Sequence, residues 1–318
     1  MLAKLADFEQ EMYDTIKSVD EFSKRRGEIG GLITKVFPLF DQYTEGLQEG
    51  LILIGGQPNS GKTAFMIQTA WQIAQNNNVY VIYFSLDDPV YDALNRVVAC
   101  DQRIPINAAR LPKRYPYCQG RRKAGIERLY KYVSHFKMID QTAGSSLQFI
   151  EETIKRHAIE LNVAEDGRRL AVFIDGLYDI TLDEGGKLEG NDKYELIVLG
   201  LDRIAQHYKC PIVCSAEFRK LNKAKRPTME DLRETVKIAY KAKMALLIYN
   251  EVHVRGNMAK VYHTVDGVAG KQPVLEVHFG KNKFTSFKGR LFYRFFPNES
   301  YLEEIPWERA RKFEDLIT

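Results

Sequence analysis

Cysteine and tryptophan are scarce: the 318 residues hold four cysteines (Cys100, Cys118, Cys210, Cys214) and two tryptophans. Scattered cysteines of this number build no disulfide framework, and no CxxC pair stands with a second pair to complete a zinc site. Cys210 and Cys214 bracket an apolar run and are predicted to be small core residues. The six histidines (His135, His157, His207, His253, His263, His278) lack metal-ligand spacing, and the sequence has no GxSxG or Cys/His nucleophile context. Long apolar runs are missing too, since stretches such as Met244 to Tyr249 fall far short of the roughly 20 residues that cross a bilayer. The opening MLAKLADFEQE has early acidic residues and no apolar stretch like that of a secretory signal. The expectation is a reducing, cytoplasmic setting with no membrane partner. A strong excess of either charge is also absent: 46 Lys and Arg face 42 Asp and Glu, a net charge of +4. That balance suits a mildly basic enzyme and a nucleic-acid binder equally. The chain is 45% hydrophobic, enough to fill the core of one large α/β domain with a small appendage, or of at most two domains, so a folded main state is expected.

What is present has an order. Leu5, Phe8, Met12, Ile16, Val19 and Phe22 recur at spacings of three and four, which predicts an amphipathic helix with one stripe to bury, against another subunit for instance. GEIGG at 27–31 reads as a hinge, so residues 1–31 form an N-terminal linker and 32–318 the main domain. Apolar runs then alternate with helix-length segments: Leu51 to Gly55, Val79 to Leu86, Phe136 to Asp140, Leu170 to Leu177, Pro211 to Ala216 and Ala245 to Tyr249. Continuous rather than alternating apolar strands predict a mostly parallel sheet covered on both faces. Val274 to Phe279 and Gly289 to Phe296 predict a C-terminal antiparallel hairpin at the sheet's edge.

Gly56-Gln57-Pro58-Asn59-Ser60-Gly61-Lys62-Thr63 matches GxxxxGK[ST] between a strand and a helix, the context a phosphate-binding loop requires. Its glycines let backbone N–H groups approach phosphate oxygens at a helix start, Lys62 reaches the outer phosphates, and Thr63 can ligate Mg²⁺. Leu170 to Asp175 is an apolar strand ending in a carboxylate, the form of a Walker B element whose Asp holds the metal. A further strand ends in Ser85-Leu86-Asp87-Asp88-Pro89, and either aspartate can orient an attacking water at the carboxyl edge of such a sheet. These features predict a P-loop core with a mostly parallel sheet that takes ATP and Mg²⁺, and phosphoryl transfer is the one chemistry supported. The segment from Glu217 to Arg226 carries five positive charges directly after a strand, which makes Arg219, Lys220 and Lys223 candidate backbone-phosphate contacts. Lys281 and Lys283 close a strand, from which a lysine can reach a neighbour's γ-phosphate as an arginine finger does.

Further motifs, in order, give the chain a family resemblance over roughly residues 32 to 305. Phe37 to Asp41, Gly46 to Gly50, Phe84-Ser85-Leu86-Asp87, Arg226-Pro227, Asp231-Leu232-Arg233-Glu234 and Gly280-Lys281-Asn282-Lys283 resemble successive segments of the RecA-like ATPase domain of DnaB-type replicative hexameric helicases. The resemblance implies a homo-oligomeric ring, hexameric in the family, with ATP between subunits and central loops that grip single-stranded DNA. It implies that Asp87 activates water, that Glu217 senses the γ-phosphate, that Lys281 and Lys283 act in trans, and that Arg233 and Glu234 fall in the DNA-gripping loop. The N-terminal helix would dock on an adjacent subunit. Four positions depart from the family pattern: Asp87 stands for Glu, Glu217 for Gln, Lys283 for the finger Arg, and Val236 for a loop glycine. Lysine makes a point-charge contact where arginine makes a planar fork. The family's N-terminal primase-interacting domain has no counterpart in the sequence. The leading expectation is therefore an ATP-driven, ring-forming helicase on single-stranded DNA. The alternatives are a nucleotide-gated assembly ATPase with weak hydrolysis and a filament-forming recombinase.

Overall fold

The computed structural model describes residues 10, 12–17, 30–160, 168–182, 190–218, 225–232 and 240–317. Residues 12–17 are helical and expose Met12 and Ile16. Residues 1–9, 11 and 18–25 of the predicted N-terminal helix and the start of the expected hinge, residues 27–29, lie outside the described residues. The hinge's end does not hang free: the Gly31 N–H donates to the Glu45 carbonyl at 2.7 Å, and a Cβ on Gly31 would lie 2.4 Å from the Gly46 backbone.

The chain begins its core with a short helix α1 (Pro38–Thr44) and alternates through β1 (Gly50–Gly56), α2 (Lys62–Asn76), β2 (Val79–Ser85) and α3 (Val90–Gln102). A helical insert follows, α4 (Ile106–Arg110) and α5 (Gln119–Lys131), before β3 (Phe136–Asp140), α6 (Leu147–Glu160), β4 (Arg169–Asp175), α7 (Asn191–His207), β5 (Pro211–Glu217) and β6 (Met244–Asn250). The last part holds α8 (Glu251–Arg255), β7 (Tyr262–Val265), β8 (Val268–Asn282), β9 (Arg290–Phe296), β10 (Tyr301–Glu304) and α9 (Trp307–Ile317).

The strands lie in the order β10-β9-β8-β6-β1-β5-β4-β2-β3, with β7 paired to β8. From β6 to β3 all pairings are parallel, and from β6 outward through β8, β9 and β10 they are antiparallel. The continuous apolar runs are the reason. β1, β2 and β6 are buried along their whole length, because helices cover both faces of a parallel sheet. One apolar layer gathers Phe37, Phe40, Phe65 and Tyr293 around α1 and α2, and the other packs α6 and α7 on the opposite face. All four cysteines are buried and free, as small core residues should be.

The boundaries of the six core strands fall within two residues of the apolar runs. The run expected to reach Leu177 stops at Asp175, because Gly176 takes a φ of 123° and turns the chain into a short 3₁₀ segment, Leu177–Asp179. The C-terminal hairpin is present as β8 and β9, but it is not the outermost layer, since β10 covers β9. Among the described residues no helix is long and apolar enough to cross a membrane.

Candidate nucleotide site

In an open α/β sheet, ligands sit at the carboxyl ends of the strands. Here those ends line up: Gly56 of β1 pairs in register with Glu217 of β5, and Asp175 of β4 pairs with Ser85 of β2. β5 lies between β1 and β4, so the strand carrying Glu217 separates the loop strand from the strand carrying Asp175. The result is a cavity of about 590 Å³ lined by Asn59, Gly61, Lys62, Thr63, Asp87, Asp88, Asp175, Asp179 and Glu217 among others.

The loop from Gly56 to Thr63 is wound as its sequence requires. Asn59 and Gly61 take positive φ of 59° and 105°, and the Ser60 N–H donates to the Gln57 carbonyl at 3.1 Å. A Cβ on Gly56 would lie 2.6 Å from Ser60 Oγ and 2.9 Å from Lys62 Cγ, so only glycine lets the loop close this tightly. Pro58 and Asn59 are exposed at the loop's crest. Lys62 Nζ donates to the carbonyls of Gly56 at 3.1 Å and Gln57 at 3.0 Å. Burial pushes its pKa down, opposed by the carboxylates of Glu217, Asp175 and Asp87.

Asp175 is almost fully buried and held in one orientation. Ser215 Oγ donates to its Oδ1 at 2.7 Å and Tyr83 Oη to its Oδ2 at 3.2 Å, while the Gly176 N–H donates to Ser215 Oγ at 2.8 Å. Burial and the neighbouring Asp175 push the Tyr83 pKa well up, so Tyr83 stays a donor. Asp88 is committed elsewhere, with Arg96 Nη2 at 3.4 Å and its own carbonyl accepting from Ser85 Oγ at 2.7 Å. Of the two aspartates left open by the sequence, this makes Asp87 the candidate to face a reacting water.

Three contributors to the site went unread in the sequence. Tyr83 and Ser215 sit in strands that read only as apolar, and their role depends on which strands become neighbours. Asp179 joins Asp87, Asp175 and Glu217 because the Gly176 turn folds it back. Burial, followed by Asp87, Glu217 and Asp175, pushes its pKa up.

The residues fit a magnesium nucleotide. Ser60 Oγ is buried without a hydrogen-bond partner among the described residues, and the Gly56 face admits no side chain. Four carboxylates besides Asp88 line a cavity whose one lysine is Lys62. Among the described residues no three His, Cys, Asp or Glu side chains form a metal cage by themselves. The carboxylate and hydroxyl oxygens at the cavity are donors that suit a hard cation such as magnesium, which is held through few protein ligands and through phosphate oxygens in nucleotide sites. Lys281 and Lys283 do not join this cavity. Met244 and Ala245 at the start of β6 pair with Asn282 and Lys281, and the Lys283 N–H donates to the Lys243 carbonyl, so both lysines stand at the sheet edge opposite the carboxyl ends. Lys281 Nζ donates to the Tyr240 carbonyl, and burial, then Lys283, pushes its pKa down to about 8. Arg219, Lys220, Lys223, Arg233, Glu234 and Val236 lie outside the described residues.

The family model of the DnaB-like helicase C terminal domain matches residues 31–287. A probable replicative DNA helicase of Trieres chinensis is 26% identical over 258 residues, covering 77% of this chain and 54% of that protein. The replicative DNA helicase DnaB of Geobacillus stearothermophilus is 24% identical over 246 residues, covering 76% of this chain and 52% of that protein. The chain thus spans about half the length of these relatives. Among solved structures, one described as an ATPase domain superposes with a TM-score of 0.77 at 18% identity, over 92% of this chain and 98% of that one. A DnaB-like replicative helicase described with its interactions with primase gives 0.74 at 19% identity, over 93% and 65%. At these identities the structures speak for a shared fold.

Proposed function

The chain belongs to the DnaB-like helicase C-terminal domain family, and from that membership we propose that it is an ATP-hydrolysing, ring-forming motor that translocates on single-stranded DNA. The observation that carries the reading is the cavity in which the Gly56–Thr63 loop meets Asp87, Asp175 and Glu217. Backbone amides of the loop and the start of α2 cradle the phosphates of ATP, and Lys62 swings from its carbonyl partners to the outer phosphates. Thr63 and Asp175 are the residues that would hold Mg²⁺, which when bound neutralises phosphate charge. Asp87 orients the attacking water, and Glu217, at the end of the strand between β1 and β4, senses the outer phosphate.

Lys281 and Lys283 stand on the opposite edge from their own loop, so any phosphate they touch belongs to a neighbouring subunit. That supports a closed oligomer, six subunits in this reading, with ATP sites between copies. Residues 1–31 serve as a linker helix and hinge, and 32–318 as the motor domain. Arg219, Lys220, Lys223, Arg233 and Glu234, which flank the described stretch 225–232, supply the DNA grip. A cytoplasmic location accompanies this activity.

The test is ATP turnover of the full chain with and without single-stranded DNA. Stimulation by DNA, abolished by Lys62→Ala in a protein that keeps its fold by circular dichroism, is the expected result. One turnover rate regardless of DNA, with no displacement of an annealed strand, refutes the motor reading. Tight ATP binding without turnover refutes the hydrolytic part alone.

A further inference from the structure

A second feature of the molecule is electrostatic, and none of its residues lines the nucleotide cavity. Residues 103–131 hold nine of the chain's 46 Lys and Arg but one of its 42 Asp and Glu, a net of +8 in a chain whose total is +4. Everything outside this insert is therefore net acidic. The insert connects β2 to β3, and β3 is the end strand of the sheet on the side away from β10. It is thus separate from the segments that follow the central strand β5.

The insert is a built surface with its own small core of Val98, Ile104, Ala108, Ala109 and Cys118. Three arginines tie its helices together: Arg121 Nη1 donates to the Arg103 carbonyl at 3.0 Å, Arg122 Nε to the Ala109 carbonyl at 2.7 Å, and Arg128 pairs with Asp101 at 3.3 Å. Lys113, Arg114 and Lys131 are exposed and make no ion pair among the described residues. Tyr117 and Tyr130 stand in the same insert with 73% and 75% of their surface exposed.

We propose that this insert is a second nucleic-acid contact surface, holding the phosphate backbone of a single strand with Lys113, Arg114 and Lys131 and stacking bases on Tyr117 and Tyr130. Unpaired cations interleaved with exposed aromatic rings are the chemistry that single strands bind. A protein partner would need an apolar centre, and Leu111 is the one large aliphatic side chain exposed within 103–131. The proposal does not depend on the ATP site, and its test uses no nucleotide.

The experiment titrates the full chain into fluorescein-labelled oligo(dT) and follows anisotropy over a series of salt concentrations. The background carries Arg219→Gln, Lys220→Gln, Lys223→Gln and Arg233→Gln, which remove the candidate loop cations. In that background oligo(dT) binding is expected to persist. Adding Lys113→Gln, Arg114→Gln and Lys131→Gln is expected to flatten the log–log salt slope by about 2, at roughly 0.7 per phosphate contact. That corresponds to affinity loss on the order of 100-fold at about 0.1 M salt. Lys113→Gln alone, at an exposed site that folding does not depend on, should flatten it by about 0.7. The proposal is overturned if the loop changes alone abolish binding, or if the slope is unmoved by the insert changes. It is also overturned if those changes dissociate the oligomer, since the face then joins protein to protein.

Discussion

Arg226 lies outside the nucleotide cavity, yet its loss should cost much of the protein's stability. Its guanidinium makes a fork on Glu276, Nε to Oε2 at 2.7 Å and Nη2 to Oε1 at 2.9 Å, and reaches Glu251 at 3.6 Å. Both glutamates are 1% exposed, and Glu251 also accepts the Val261 N–H at 2.7 Å and the Lys260 N–H at 3.0 Å. Arg290 stands 3.9 Å from Glu276, too far to replace the fork. Arg226→Met therefore leaves a buried carboxylate nearly unpaired, a loss of about 3 to 5 kcal/mol of unfolding free energy. Glu276→Gln removes the same pairing from the other side, so the double variant should cost less than the sum of the singles by at least about 1.5 kcal/mol.

The sign with pH follows from Glu276. Burial pushes its pKa up, and Arg226 pulls it down. Without Arg226 the folded-state pKa rises further above its unfolded value. The carboxyl is then stabilising only when protonated, and that stability is lost as pH rises. The deficit of Arg226→Met should therefore be smaller in acid than at about pH 8. Urea unfolding of the four proteins of the cycle at two pH values makes the measurement. Additive losses, or a deficit that grows in acid, would refute the argument. Because Arg226 lies between two candidate DNA-gripping segments, the variant should also lose DNA stimulation of turnover more than basal turnover.

Two further predictions concern the contacts that α2 and α1 make with the C-terminal strand β10. Gln68 of α2 donates to the Leu302 carbonyl at 2.9 Å and accepts the Leu302 N–H at 2.7 Å, so Gln68→Leu strands two buried backbone groups. About 2 to 5 kcal/mol should be lost in denaturant unfolding, and a loss under about 1 kcal/mol would mean β10 detaches without consequence. Glu304 accepts N–H groups of Leu39 and Phe40, and burial pushes its pKa from 4.5 up to about 7. Its protonated form is the stabilising one, so stability should fall by about 3 kcal/mol between about pH 4.5 and 8. Glu304→Gln should flatten that dependence, and an unchanged profile would sink the assignment.

Much of this protein was written locally. The loop from Gly56 to Thr63 needs a strand before it, a helix after it and glycines where φ is positive, and each is a property of neighbouring residues. The apolar runs marked the six core strands for the same reason: a strand buried on both faces has to be apolar throughout. The family resemblance rests on these motifs in order, and the match over residues 31–287 established membership. What remained hidden depends on which strands lie side by side. Tyr83 and Ser215 orient Asp175 only because β2 and β5 flank β4. Asp88 is drawn off by Arg96, in the helix that follows it. Glu276, an acid inside a run that reads only as apolar strand, is legible only once Arg226 is folded against it.

The sequence by itself determined the phosphate loop, the strand carboxylate and the parallel core, since hydrophobic periodicity and backbone freedom act over a few residues. Tertiary structure alone decided which carboxylates share the cavity and that Lys281 and Lys283 stand on the opposite edge from their own loop. It alone gathered the cations of 103–131 around one small core. Those outcomes follow from sheet order and helix packing, where residues distant along the chain meet and no short-range pattern records the meeting.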